Sequence, residues 1–159
     1  MENQERYKIS KVEGLTPNLS LLACMMNQAR LVTIESVKKL NVSELDFLLD
    51  DHANSIGALL SHIASTEIWY QVYTFEKREL VGEELKRIEA SLDLGEKARQ
   101  EIKGNEVSFY LSAMQKARDY TIREFRKRGD DWLLNRLQSI GISLHAAIRW
   151  VDTLVPGNG

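Results

Sequence analysis

The chain has 159 residues, of which 43% are hydrophobic and 28% charged, with a formal net charge of −2 at pH 7. That balance suits one soluble domain with its own core and gives no whole-chain electrostatic case for nucleic acid. No stretch approaches the roughly eighteen consecutive apolar residues of a membrane span. A single cysteine, Cys24, excludes an intramolecular disulfide. The polar start MENQERYKIS does not read as a signal peptide, so the expected location is cytoplasmic.

The two prolines, Pro17 and Pro156, lie near the two ends, which favours long helices over a turn-rich β fold. Residues 1–15 read as an irregular lead-in. Thr16-Pro17 is a helix start, a hydroxyl at the cap followed by proline at the first helical position. Leu22, Met25, Met26, Ala29, Val32, Val37 and Leu40 then recur at helical spacing and predict a first helix over 17–40. Cys24 and the methionines read as core filler. Residues 41–53 form a connector in which Asp51 and His52 are expected to be solvated turn residues.

The stretch NSIGALLSHIASTEIWYQVYTF predicts a second helix over 54–75 with Asn54 as its cap. Ile56, Leu59, Leu60, Ile63 and Tyr70 make one apolar stripe; Ala64, Ile68, Val72 and Phe75 make another. A helix apolar on two sides is packed on two sides, and His62 is the titratable residue placed within it. Residues 76–105 are charge-rich and irregular, with short helical pieces around Leu85–Leu92 and Leu94–Ile102, a crossover too long for a simple helix–helix turn. Val107, Tyr110, Leu111, Met114, Ala117, Ile122 and Phe125 predict a third helix over 106–128, closed by Arg126, Lys127, Arg128 and Gly129. Asp130-Asp131 caps a fourth, over 131–154, with Leu133, Leu137, Ile140, Leu144, Ile148 and Val151 on its stripe. The expected fold is all-α: a single four-helix bundle with a long, irregular, partly helical crossover between the second and third helices.

Three histidines occur, His52, His62 and His145. His145 shares a ridge of the fourth predicted helix with Asp152, and Arg149 lies one turn on. A bundle builds metal sites from inward side chains on facing helices, and imidazole with carboxylate suits zinc, nickel or iron. The alternative is an Arg149–Asp152 ion pair beside a core-flanking His145. No clustered histidine–cysteine motif and no Gly-rich phosphate loop is present.

The motif NSIGALLSHIASTEIWY, with a small-Ile-Gly start, His-Ile-Ala and then glutamate five residues after the histidine, resembles the second helix of the DinB/YfiT-like superfamily. LDLGEKARQEIKG, the long third helix and GDDWL after it support the resemblance. That superfamily includes metal-dependent thiol S-transferases, in which one histidine of the second helix and a pair four residues apart in the fourth hold a divalent metal. His62 matches the first and His145 the first of the pair. The second falls at Arg149, which stays protonated and cannot ligate. The resemblance therefore implies a zinc or nickel ion on His62 and His145, completed by Asp152 or water, serving a low-molecular-weight thiol. Glu67 matches the motif's glutamate but lies about 140° round the helix from His62 and is not expected to be a ligand.

These residues support three readings. The first is a metal-assisted, thiol-dependent S-transferase with a degenerate metal site, His62 and His145 facing each other across the core. The second is a non-catalytic bundle of the same fold, with a binding or stress-related role. The third is an apolar-ligand pocket between the helices, with His62 as its polar anchor. Metal binding is expected to be weak or absent because of Arg149. A homodimer is expected both from the resemblance and from apolar side chains such as Trp69 and Tyr73 on extra helix faces.

Overall fold

The computed structural model describes residues 10–139, and all regular structure among them is helical. Helix α1 spans Pro17–Val37, α2 Val42–Leu45 and α3 Ile56–Gln71, which runs into a π-helical turn, Val72–Glu76. The crossover holds α4 (Glu83–Lys86), α5 (Glu89–Asp93) and α6 (Gly95–Glu101). Helix α7 spans Val107–Arg126, and α8 begins at Asp130 and is described through Ser139. No helix among the described residues is long and apolar enough to cross a membrane.

The helix boundaries come from local chemistry, with two corrections to the expected caps. Asn54 does not cap α3: its side chain accepts the Gly95 N–H at 2.9 Å, and Ser55 takes the cap by accepting from Ala58 N–H at 3.1 Å. Thr16 does not cap α1 with its own hydroxyl either. Asp130 does so from across the molecule, accepting the Thr16 hydroxyl at 2.5 Å and the backbone N–H groups of Asn18 and Leu19 at 3.1 and 3.2 Å. One carboxylate thereby joins the start of α8 to the start of α1 and complements the α1 dipole. Leu94 ends α5 and precedes α6, its N–H donating to the Ala90 carbonyl, and Leu94 and Gly95 both take positive φ (58° and 66°) there.

The core has two apolar clusters. One gathers Val37, Leu45, Leu60, Ala64, Tyr110 and Met114; the other gathers Leu15, Leu19, Ala23 and Phe125. In the first, α3 approaches α7 closely at Gly57: a Cβ there would stand 2.6 Å from the Tyr110 hydroxyl oxygen. Tyr110 is fully buried, so only glycine admits this approach. Arg30, Glu67 and Arg118 each fall, along their own helix, between residues of the two clusters.

Candidate functional site: the cleft beside a buried charged layer

Glu67 is the centre of the charged layer. Its Oε1 accepts from Arg118 Nε at 2.8 Å and from the Thr121 hydroxyl at 2.7 Å. Its Oε2 accepts from Arg30 Nη2 at 2.6 Å and Arg118 Nη2 at 3.1 Å. Four bonds use the full acceptor capacity of a carboxylate. Arg30 also donates to the Met114 carbonyl, and Arg118 Nη1 to Asn27 Oδ1 at 2.9 Å. The three side chains are only 6–10% exposed. Burial, reinforced by neighbouring Arg118, pulls the Arg30 guanidinium below its usual range. Arg30 Nε is buried without a partner among the described residues, so within them the layer is satisfied at its carboxylate and incomplete at one guanidinium.

A cleft of about 310 Å³ lies beside this layer. Leu22 and Met26 of α1, Phe75 of the π turn, Phe125 of α7, and Trp132 and Leu133 of α8 wall it. Glu67, Tyr70, Gln71, Thr74 and Thr121 also line it, but the surface that the cleft presents is almost entirely apolar. The π turn matters here because a widened turn shifts the helical register of the residues beyond it, and Phe75 meets both Phe125 (5.8 Å between centroids, edge-on) and Trp132 (5.6 Å). Arg128 lies over the Phe75 and Trp132 rings at 4.6 and 5.2 Å and bonds Glu124 Oε2 at 2.7 Å, bracing the wall from behind. Gln71 is buried and held rigidly: its amide nitrogen donates to the Ala117 carbonyl at 2.7 Å and to Thr121 Oγ1 at 2.9 Å.

His62 does not line the cleft. It faces the crossover, where Nδ1 bonds the Ser91 carbonyl at 2.8 Å. A carbonyl only accepts, so Nδ1 carries the proton and Nε2 presents its lone pair, with the Thr66 hydroxyl 3.4 Å away. Next to it the buried Ser65 and Ser91 hydroxyls share a hydrogen bond. His62, expected as the polar anchor of an apolar pocket, is not among the residues that line this cleft, whose surface is almost entirely apolar. Of the expected metal set, His62 is placed; His145 and Asp152, with Arg149, lie outside the described residues. Among the described residues no three His, Cys, Asp or Glu side chains form a cluster fit for a metal ion.

Glu67, expected from sequence only as a non-ligand, is the central polar residue, and its partners Arg30 and Arg118 carry no motif. The one sequence signal for them is an arginine inside the apolar stretch of the first predicted helix. Trp69 and Tyr73, expected to need a covering partner, stack on each other at 5.2 Å and 8° and are partly buried. Cys24 is buried as expected, and His52 is an exposed turn residue. No protein-family model matches the chain, and no curated protein matches it.

Proposed function

We propose that the chain is a small-ligand-binding helical protein of the DinB/YfiT-like kind, holding a largely apolar molecule in the cleft between α1, α3, α7 and the start of α8. One observation carries this reading: a cleft of about 310 Å³, within the range of small-molecule pockets, has apolar walls beside a carboxylate whose acceptor sites are all taken. A saturated carboxylate is not free to act as a base, so the arrangement favours binding over catalysis in this cleft. Calorimetric titration with 4-propylanisole, an apolar aromatic ether, tests it. Micromolar to sub-millimolar binding is expected in the wild type, and loss of it in Met26→Trp, which fills the cleft. Equal affinity in both proteins contradicts the reading.

A second reading, the metal-assisted thiol S-transferase, is favoured by the tautomer of His62. A histidine that donates one ring N–H to a carbonyl is oriented as metal-ligating histidines are. Zinc or nickel on His62 would supply a bound nucleophile of lowered pKa, with the remaining ligands drawn from His145, Asp152 or water. Elemental analysis of protein purified without an affinity tag tests this reading. Metal lost on His62→Ala supports it; metal retained in that variant excludes His62 as a ligand.

At the level of the whole fold, a fourth helix over 131–154 completes a four-helix bundle, and a second copy covers an outer face. In support, α3 leaves Leu59, Ile63 and Tyr70 more than a third exposed along one stripe, and α1 leaves Leu21, Met25 and Val32 exposed along another.

A further inference from the structure

The loop Phe47-Leu48-Leu49 and the cleft complement each other, and we infer that they meet between two copies of the chain, the loop of each closing the cleft of the other. The inferred contact rests on the cleft and the pairing proposed above and adds the residues that the second copy contributes. Phe47 and Leu49 are 66% and 82% exposed. Consecutive large apolar side chains held out in water mark a contact surface. The loop is fixed at both ends. Asp46 Oδ2 accepts the Gly104 N–H at 2.7 Å, and Asp50 Oδ1 accepts those of His52 and Ala53 at 2.8 and 2.7 Å. A loop already ordered loses little freedom on docking. The cleft is open to receive it: Leu22, Met26, Phe75, Trp132 and Leu133 are only half-buried. The charges match as well. Glu44, Asp46, Asp50 and Asp51 flank the loop, and no lysine or arginine occurs from residue 40 to residue 76. Beside the cleft, α7 ends in Arg123, Arg126, Lys127 and Arg128, four cations against Glu124, Asp130 and Asp131, and Arg128 lies over two of the cleft's rings. An acidic apolar loop suits an apolar cleft with a basic edge. The two lie at opposite ends of the molecule. The loop adjoins the end of α1 and the starts of α3 and α7. Leu22, Tyr70 and Phe125 place the cleft near the start of α1 and the ends of α3 and α7. The length of α3 alone separates them by about 24 Å, so a chain does not seat its own loop. Two copies with α1 antiparallel across a two-fold axis, paired along Leu21, Met25 and Val32, bring each loop to the other's cleft and close both contacts at once.

Isotope-filtered NMR on a mixture of labelled and unlabelled full chain tests the contact directly. A nuclear Overhauser cross-peak is expected between the Phe47 ring of one copy and the Met26 methyl of the other. Phe47→Asp changes an exposed side chain, so it is expected to fold as the wild type does and to raise the dimer dissociation constant about tenfold or more in sedimentation. A dimer whose Met26 methyl meets no Phe47 ring, or meets residues 140–154 of its own chain instead, overturns the inference. A Phe47→Asp dimer as tight as the wild type overturns it too. A wild-type monomer overturns the pairing and the inference together. Failure of 4-propylanisole to bind, with the Phe47–Met26 cross-peak present, overturns the small-ligand reading alone and supports the loop as the cleft's occupant.

Discussion

Removing the Glu67 carboxylate leaves two buried guanidinium groups facing each other without their counter-ion. Breaking a buried ion cluster by deleting one partner is far more damaging than replacing the whole cluster with apolar groups. Glu67→Gln is therefore expected to lower stability by about 3–5 kcal/mol, whereas the triple change Arg30→Met, Glu67→Leu, Arg118→Met is expected to lose much less. Urea denaturation of the two proteins checks this; a Glu67→Gln midpoint equal to wild type contradicts the central role given to Glu67. Asp130 gives a pH signature. The Thr16 hydroxyl first, and then the Asn18 and Leu19 N–H groups, hold its carboxyl below the usual aspartate range. A depressed folded-state pKa contributes stability that is present above the unfolded value, near 3.9, and is lost as pH falls through the folded value. The difference in Tm between wild type and Asp130→Ala is thus expected to be constant near neutral pH and to shrink progressively below about pH 4. A difference that grows with acid contradicts the cap.

At the scale of elements, the α3–α7 contact makes a prediction that runs against helix propensity. Alanine is favoured over glycine in a helix by about 1 kcal/mol, yet Gly57→Ala is expected to destabilise by about 1–3 kcal/mol, because its Cβ meets the Tyr110 hydroxyl oxygen. In the background Tyr110→Leu the same change is expected to become neutral or stabilising, and a double-mutant cycle by thermal unfolding measures the coupling. The helices themselves were legible in the sequence because their stripes, Pro17 and the basic last turn of α7 are local signals. The caps by Asp130 and the retasking of Asn54 were not, since each joins residues far apart in the chain. Glu67 was visible as a motif residue, but its role depends on Arg30 and Arg118, brought in by two other helices. The angular argument that separated Glu67 from His62 holds: the two side chains serve different faces of α3.

For the whole molecule, the proposed fourth helix and second copy are separable by experiment. If the proposed fourth helix covers Leu59, Ile63 and Tyr70, a chain cut after Ser139 is expected to lose about 3 kcal/mol or more, at roughly 1.5–3 kcal/mol for each fully buried apolar side chain; an unchanged urea midpoint counts against the four-helix arrangement. Light scattering is expected to give a dimer mass that falls to a monomer in Val32→Lys on the outer face of α1, and a wild-type monomer over a wide concentration range contradicts the pairing. The central claim, that the cleft and not the His62 face receives the ligand, is tested most directly by the methionine methyl NMR signals. Met26 lines the cleft, whereas its neighbour Met25 is 57% exposed. On titration with 4-propylanisole, the Met26 methyl is expected to shift and saturate while Met25 and the His62 ring signals stay in place; a saturating shift at His62 with Met26 unmoved would contradict the account.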